Sequence, residues 1–334
     1  MSINIFKKPL VSVILASYNH ARFIREAVES VLNQTFTDFE LLVLDDGSTD
    51  ATPDIVAKIK DKRLKLVRLM PNRRFHPRNT GIKMSRGKYI AFQNSDDVWL
   101  KDKLRQQIEV LEKNRQVVVC FTRLEIINEK GKIIRKSWAY SNLPGKNINN
   151  GSWLRLLFNS GVNFGIGSAV TRKNKVVRLK GFCESMTQLS DYDLWVRLAG
   201  LGQFFIINKQ LTKMRIIKNN NASFPKKEII RKCSIENIDV LNRYTEWPVN
   251  QYLKFIFNDI MPKEKVSISI QYAALARFAW QLKTPHHSFF ADQLVARLLN
   301  NPKTSKEVLG YFGVDLKKEY LKRRGKLGIV VYKK

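Results

Sequence analysis

Leu41-Leu-Val-Leu-Asp-Asp-Gly-Ser-Thr-Asp50 is an unbroken apolar run that ends in a carboxylate pair and a turn. A short run of this kind, bounded by turn residues, reads as a buried β-strand. Gly47, Ser48 and Thr49 fit a tight turn, and Asp50 fits a helix cap. The pattern recurs in Tyr89-Ile-Ala-Phe-Gln-Asn-Ser-Asp-Asp97. Two strands that each finish on paired aspartates put those carboxylates at strand ends, where open α/β sheets bind ligands. The arrangement predicts a site for a polyanionic or metal-bound ligand.

Outward from these segments, short β-branched runs alternate with amphipathic stretches from Val11 to about Ile126, as in parallel βαβ units. Strands are expected over 11–16, 40–45, 64–69, 88–93 and 117–126. Phe23, Ile24, Ala27, Val28 and Val31 recur at helical spacing over 21–32, with Asn19 or Ser17 available as a cap. Thr49-Asp-Ala-Thr-Pro-Asp54 opens a second helix with an early proline, and Leu100 to Lys113 form a third. Beyond a hairpin-like turn at Asn128-Glu-Lys-Gly131 the regularity falls, leaving one good helix over about 189–201. From Phe224 onward helices are expected over 229–244, 251–260, 266–282 and 289–299, followed by a basic end. The expected division is an α/β domain over 1–223 and a helical carboxy-terminal region with a basic tail over 224–334.

Hydrophobic residues make up 44% of the 334, and the formal charge is +30. The isoelectric point is near 10.1. Such a field attracts the phosphates of nucleic acid, anionic lipid or a nucleotide-linked substrate. Basic runs interleaved with aromatics, such as Arg135-Lys-Ser-Trp-Ala-Tyr140, make a basic nucleic-acid-binding protein the alternative reading. No reader module accompanies them, so no specific nucleic-acid partner is expected, because charge alone gives only nonspecific binding. Cys120, Cys183 and Cys233 are widely spaced and odd in number, which supports neither a disulfide framework nor a zinc site. A reducing, cytoplasmic setting is expected. No run approaches the ~18 apolar residues of a membrane span, and the amino terminus lacks a signal-peptide core. The tail Lys317 to Lys334 holds eight Lys/Arg against one Glu, which fits peripheral attachment to an anionic membrane surface on its inner face.

Five segments in order carry a family resemblance: Val11-Ser-Val-Ile-Leu-Ala-Ser-Tyr-Asn19, Asp45-Asp-Gly-Ser-Thr-Asp50, Arg78-Asn-Thr-Gly-Ile82, Gly87-Lys-Tyr-Ile-Ala-Phe92 leading to Asp96-Asp97, and Ser190-Asp-Tyr-Asp-Leu-Trp-Val-Arg197. Together they resemble the inverting family 2 glycosyltransferases. The resemblance implies a GT-A fold, a Rossmann-like, mostly parallel sheet flanked by helices. It also implies a UDP-sugar or other nucleotide-sugar donor, a glycan or lipid-linked acceptor, and a role in surface polysaccharide synthesis. By the resemblance, Asp97 is the metal ligand for Mn2+ or Mg2+, and Asp96 contacts ribose or a metal-bound water. Asp46 meets the base, Ala16 and Tyr18 form the opposite wall, and Arg78 lies near the base or diphosphate. Asp191 is the catalytic base, with Asp193 its nearest competitor, and Arg215 and Lys218 offer charge to the diphosphate. The chain departs from the family pattern at Asn94, Ser190 and Ile217, where relatives carry Asp, an acidic residue and His. A non-catalytic glycan-binding scaffold on the same fold is a further alternative, against which Asp46, Asp97 and Asp191 stand together.

Overall fold

The apolar runs become strands because a sheet with helices packed on it buries them on both faces. β1 (Val11–Ser17), β2 (Phe39–Asp45), β3 (Leu64–Arg68) and β4 (Tyr89–Asn94) lie parallel in the order β3-β2-β1-β4. The structure, a computed structural model, describes residues 8–70, 76–135, 144–161, 164–217 and 227–326. Register sets Ser17 beside Asp45, and Ala16 beside both Leu44 and Asn94, so the carboxyl ends of three strands finish level. α1 (Ile24–Leu32), α2 (Thr52–Ala57) and α3 (Pro77–Met84) connect them. Val13, Leu15, Val28, Leu41, Val43 and Ala91 share one buried cluster in this half.

The sheet continues through β5 (Val98–Trp99), β6 (Val117–Asn128), β7 (Val170–Arg172) and β8 (Gln203–Ile216) in the order β4-β7-β6-β8-β5. β7 is antiparallel to β4 and β6, and β5 to β8, whereas β6 and β8 run parallel. Between these strands lie α4 (Lys103–Lys113), α5 (Asn150–Ser160), α6 (Lys173–Arg178) and α7 (Ser190–Ala199). The result is the mixed, mostly parallel sheet that the sequence predicts.

Neither Ser17 nor Asn19 caps α1. The chain leaves β1 through a left-handed turn at Asn19 (φ 51°), and the helix begins only at Ile24. The turn is held from the β2 side instead: Asp50 Oδ2 accepts from the Ala21 N–H at 3.0 Å and Thr52 Oγ1 from the His20 N–H at 2.9 Å. Asn19 Oδ1 accepts in return from the Thr49 N–H at 2.8 Å.

The chain divides into two compact units at Ile229/Ile230. The second contains most of α8 (Lys227–Asn242), then α9 (Leu253–Ile256), α10 (Ile268–Gln281), α11 (Pro285–Asn300), α12 (Pro302–Phe312) and α13 (Asp315–Lys326). The helix expected over 251–260 is reduced to a 3-10 turn at Asn250–Tyr252 and the short α9. Two further helices follow that the sequence reading does not predict, α12 before the basic end and α13 across it. Asn301 Oδ1 caps α12 by accepting from the Lys303 and Thr304 N–H groups, and buried Leu316 and Tyr320 anchor α13, whose Arg323 lies 4.8 Å over the Trp280 ring. No helix among the described residues is long and apolar enough to cross a membrane.

Candidate active site

A cleft of about 640 Å3 opens where β1, β2 and β4 end, a volume within the range of small-molecule sites. Ala16, Tyr18, Asp46, Arg78, Asp96, Asp97, Asp191 and Arg215 all line it. Lys218 lies outside the described residues. At one wall Tyr18 is 56% exposed, and Asp46 donates its N–H to Ser17 O at 2.8 Å, tying the ends of β1 and β2 together. Asp45 is fully buried and turns inward to accept from the Ser48 N–H at 3.2 Å. Gly47 takes a φ of 78° in that turn, a conformation a Cβ would strain.

The floor is a compact carboxylate, amide and guanidinium cluster. Asp97 Oδ1 accepts from the Arg215 backbone N–H and Oδ2 from Asn94 Nδ2, both at 2.9 Å. Asn94 Oδ1 in turn accepts from Arg78 Nη2 at 2.8 Å. Asn94 therefore bridges a cation and a carboxylate, which requires one group that both donates and accepts. Burial raises the proton affinity of Asp96 and Asp97, and for Asp97 the neighbouring Asp96 charge adds to it. Arg78 lies within electrostatic reach of Asp191, Asp96 and Asp97. A Cβ on Gly167 would stand 3.1 Å from Asp97 Oδ2, a tight contact that would require the carboxylate to give by a few tenths of an ångström.

Arg215 is only 2% exposed, and its guanidinium is engaged inside the protein. Nε donates to Asp96 O at 2.9 Å, Nη1 to the carbonyls of Asn128 and Glu129, and Nη2 to Glu26 Oε2 at 2.6 Å. The side chain joins the carboxylate turn to α1 and to the end of β6. Ile217, which replaces the family histidine, is buried at 5% exposure.

Asp191 enters from α7. Trp195 fixes that helix edge-on against Phe121, with centroids 5.1 Å apart, and Leu194 and Leu198 are fully buried. Arg197 Nη1 and Nη2 donate to Leu179 O and Gly181 O at 2.9 Å, while Nε donates to Asp193 Oδ2 at 2.8 Å. Asp193 is thus fully buried beside a cation, whereas Asp191, two residues earlier, lines the cleft. Asp191 Oδ1 accepts from the Tyr192 N–H at 2.8 Å at the start of the helix, where the helix dipole favours negative charge.

His20 and Ser95 escaped the reading of the sequence. Both line the cleft, with His20 Nδ1 2.6 Å from Ser95 Oγ. Burial lowers the His20 pKa against the opposing pull of Asp50 and Asp97. The available signal was position alone, since His20 follows β1 at the carboxyl edge where ligands bind.

A family model described as Glycosyl transferase family 2 matches residues 12–174. The Escherichia coli UDP-Glc:alpha-D-GlcNAc-diphosphoundecaprenol beta-1,3-glucosyltransferase WfgD is 33% identical over 243 residues, spanning 72% of this chain and 88% of its own. The chain belongs to glycosyl transferase family 2. Another relative, an uncharacterized glycosyltransferase of Methanocaldococcus jannaschii, is 31% identical over 220 residues, covering 64% of this chain and 73% of that protein. Three Rickettsia glycosyltransferases match as well, and the chain spans only 34%, 40% and 31% of their lengths. Among solved structures, residues 1–349 of Staphylococcus aureus TarS superpose with a TM-score of 0.52 at 19% identity, covering 97% of this chain and 93% of that one. That likeness shows the fold, the GT-A arrangement expected of a family 2 member.

Proposed function

We propose that this family 2 glycosyltransferase moves a sugar, with inversion, from a UDP-sugar to a hydroxyl of a glycan or lipid-linked acceptor in surface polysaccharide synthesis. One observation carries the reading: a single cleft gathers Tyr18 and Asp46 at one wall, Arg78 with the Asp96-Asp97 pair at the floor, and Asp191 on a rigidly anchored helix. Asp191 accepts the proton of the acceptor hydroxyl as its oxygen bonds to the anomeric carbon. The bond from that carbon to the diphosphate oxygen breaks on the opposite face, and its electron pair leaves with the diphosphate. Arg78, a permanent cation lining the cleft, meets the developing charge. Tyr18 and Ala16 hold the base, and Asp46 accepts a hydrogen bond from it.

The residues also fit a divalent ion. A hard cation of the Mg2+ or Mn2+ type takes one or two protein carboxylates and completes its shell with substrate phosphates and water. Asp97 and Asp96, two buried carboxylates raised in proton affinity, supply that share. No group of three or more His, Cys, Asp or Glu suited to a metal occurs among the described residues, so phosphate and water oxygens would fill the remaining positions. When bound, the ion would add Lewis-acid stabilisation of the diphosphate charge.

The uridine donor and lipid-linked acceptor are supported by the E. coli relative, whose name specifies UDP-Glc and a diphosphoundecaprenol acceptor. The +30 charge favours work beside anionic lipid at the inner face of a membrane. The test is thermal unfolding with a panel of nucleotide sugars, with and without Mn2+. A UDP-sugar at a hundred times its Kd should stabilise by about 2.7 kcal/mol. If no nucleoside diphosphate or nucleotide sugar stabilises the protein with either metal, the proposal fails.

A further inference from the structure

Close to Asp191 the cleft holds a histidine, His76, that the mechanism above does not use. His76 caps α3, and its imidazole stacks on Phe182 with centroids 4.7 Å apart and planes 8° apart. Its backbone N–H donates to Glu184, whose other carboxylate oxygen accepts from Asn79 Nδ2 at 2.6 Å. Asn79 is itself clamped to Phe182, accepting from its N–H at 2.8 Å and donating to its carbonyl at 2.9 Å. The ring is therefore fixed in both position and plane.

Its two nitrogens have different partners. Nδ1 accepts from the Arg78 N–H at 3.3 Å, so that nitrogen carries a lone pair. Nε2 lies 3.3 Å from Ser190 Oγ. Burial and the Arg78 charge push the pKa down to about 3, so the ring is neutral across the physiological range. A neutral ring with a lone pair on Nδ1 has its proton on Nε2. Ser190 Oγ accepts the hydrogen bond from that Nε2–H, and its own hydroxyl hydrogen is left to donate elsewhere. Ser190 lines the cleft directly beside Asp191.

We propose that His76 locks the Ser190 hydroxyl as a hydrogen-bond donor into the cleft, where it recognises an oxygen of the acceptor sugar and positions the acceptor against Asp191. Ser190 is the specificity-determining contact, and His76 is a positioning residue acting through it. An acidic residue at 190 could only accept at this point, whereas the His76–Ser190 pair donates. The acceptor should therefore present an ether, carbonyl or hydroxyl lone pair here. This assignment deepens the proposed reaction and rests on Asp191 being its base.

Two measurements test it. The first needs no substrate: 15N spectra of histidine-labelled protein, with the His76 signal assigned through His76→Phe. The expected result is a neutral Nε2–H ring that remains unprotonated at pH 5; an Nδ1–H ring, or titration near pH 6.5, overturns the relay. The second is steady-state transfer from UDP-glucose to GlcNAc-diphosphate-lipid, or between whichever nucleotide sugar and lipid-linked acceptor the protein turns over. Ser190→Ala and His76→Phe should each raise the acceptor KM about tenfold, leave the donor KM unchanged, and together do no more than either alone. Ser190→Thr keeps the hydroxyl and should restore most of the loss. If Asp191→Asn is inactive while Ser190→Ala keeps the parental acceptor KM, this inference alone falls. If Asp191→Asn turns over normally, the proposed reaction falls first.

Discussion

Asp191 and Asp193 stand two residues apart on α7 and should give opposite phenotypes when each is changed to Asn. Asp193 is fully buried and faces Arg197, whose side chain is 10% exposed and also holds the carbonyls of Leu179 and Gly181. Removing one partner of such a pair leaves a buried guanidinium with an uncompensated charge, which costs about 3–5 kcal/mol. Asparagine retains one acceptor oxygen, so the lower end, about 3 kcal/mol, applies. At roughly 2–4 °C per kcal/mol for a unit of 150–250 residues, Asp193→Asn should lower the melting temperature of the amino-terminal unit by roughly 6–12 °C. Asp191 lines the cleft, and its charge contributes only the ~0.3–1 kcal/mol of a carboxylate at a helix start. Asp191→Asn should therefore melt within about 4 °C of the parent, yet lose the 10²–10⁴-fold in kcat that a general base supplies. Thermal unfolding in parallel with transfer kinetics at matched folded fraction separates the two. If Asp193→Asn keeps its stability and loses turnover, while Asp191→Asn loses stability and keeps turnover, the reading of α7 is reversed and the base is misassigned.

The stabilisation produced by saturating UDP with Mn2+, about 2.7 kcal/mol at a hundred times Kd, should shrink with EDTA and in Asp97→Ala; retention of the full shift by either would refute the carboxylate role. Gly167→Ala pushes a Cβ to 3.1 Å from both Asp97 Oδ2 and Gln93 Oε1, so it should cost about 1–3 kcal/mol as overpacking and weaken Mn2+-dependent UDP binding, both readable from the same melts. Acid sensitivity should include a His76 component. Its pKa is about 3 when folded against an ordinary 6.5, so the unfolded chain takes up this proton first. The stabilising contribution is whole above pH 6.5 and declines toward pH 3 at up to about 1.4 kcal/mol per unit. Denaturant titrations at pH 5 and 7 should show a smaller difference for His76→Phe than for the parent, and an equal difference would contradict the buried, neutral ring.

The parts of the site that were legible in the sequence are those fixed by local pattern. Continuous apolar runs specify β2 and β4 because burial on both faces requires them, and the spacing of Leu194, Trp195 and Leu198 specifies the buried face of α7. The start of α1 was read wrongly because its support comes from Asp50 and Thr52, about 30 positions along the chain, rather than from the residues preceding it. The helix of the basic end was hidden for a related reason: two buried anchors, Leu316 and Tyr320, hold α13 while charge dominates its composition. Arg215, expected to offer charge to the diphosphate, lines the cleft and also holds four internal acceptors across three segments of the chain, contacts that no local pattern announces.

Asn94 is the case where sequence and structure together say more than either. Against the family pattern it reads as a missing carboxylate. In the cluster it accepts from Arg78 and donates to Asp97, and an aspartate in the same place could not donate to Asp97 without holding a proton itself. A third ionised carboxylate would also add repulsion to Asp96 and Asp97, which burial already drives toward protonation. The amide keeps the guanidinium and Asp97 in fixed register with no added charge. Asn94→Asp should accordingly tighten cation binding while holding Arg78 more firmly and placing a negative charge beside the diphosphate, so that metal affinity rises as the affinity for UDP without metal falls. A substitution that moved both affinities in the same direction would refute this reading of position 94.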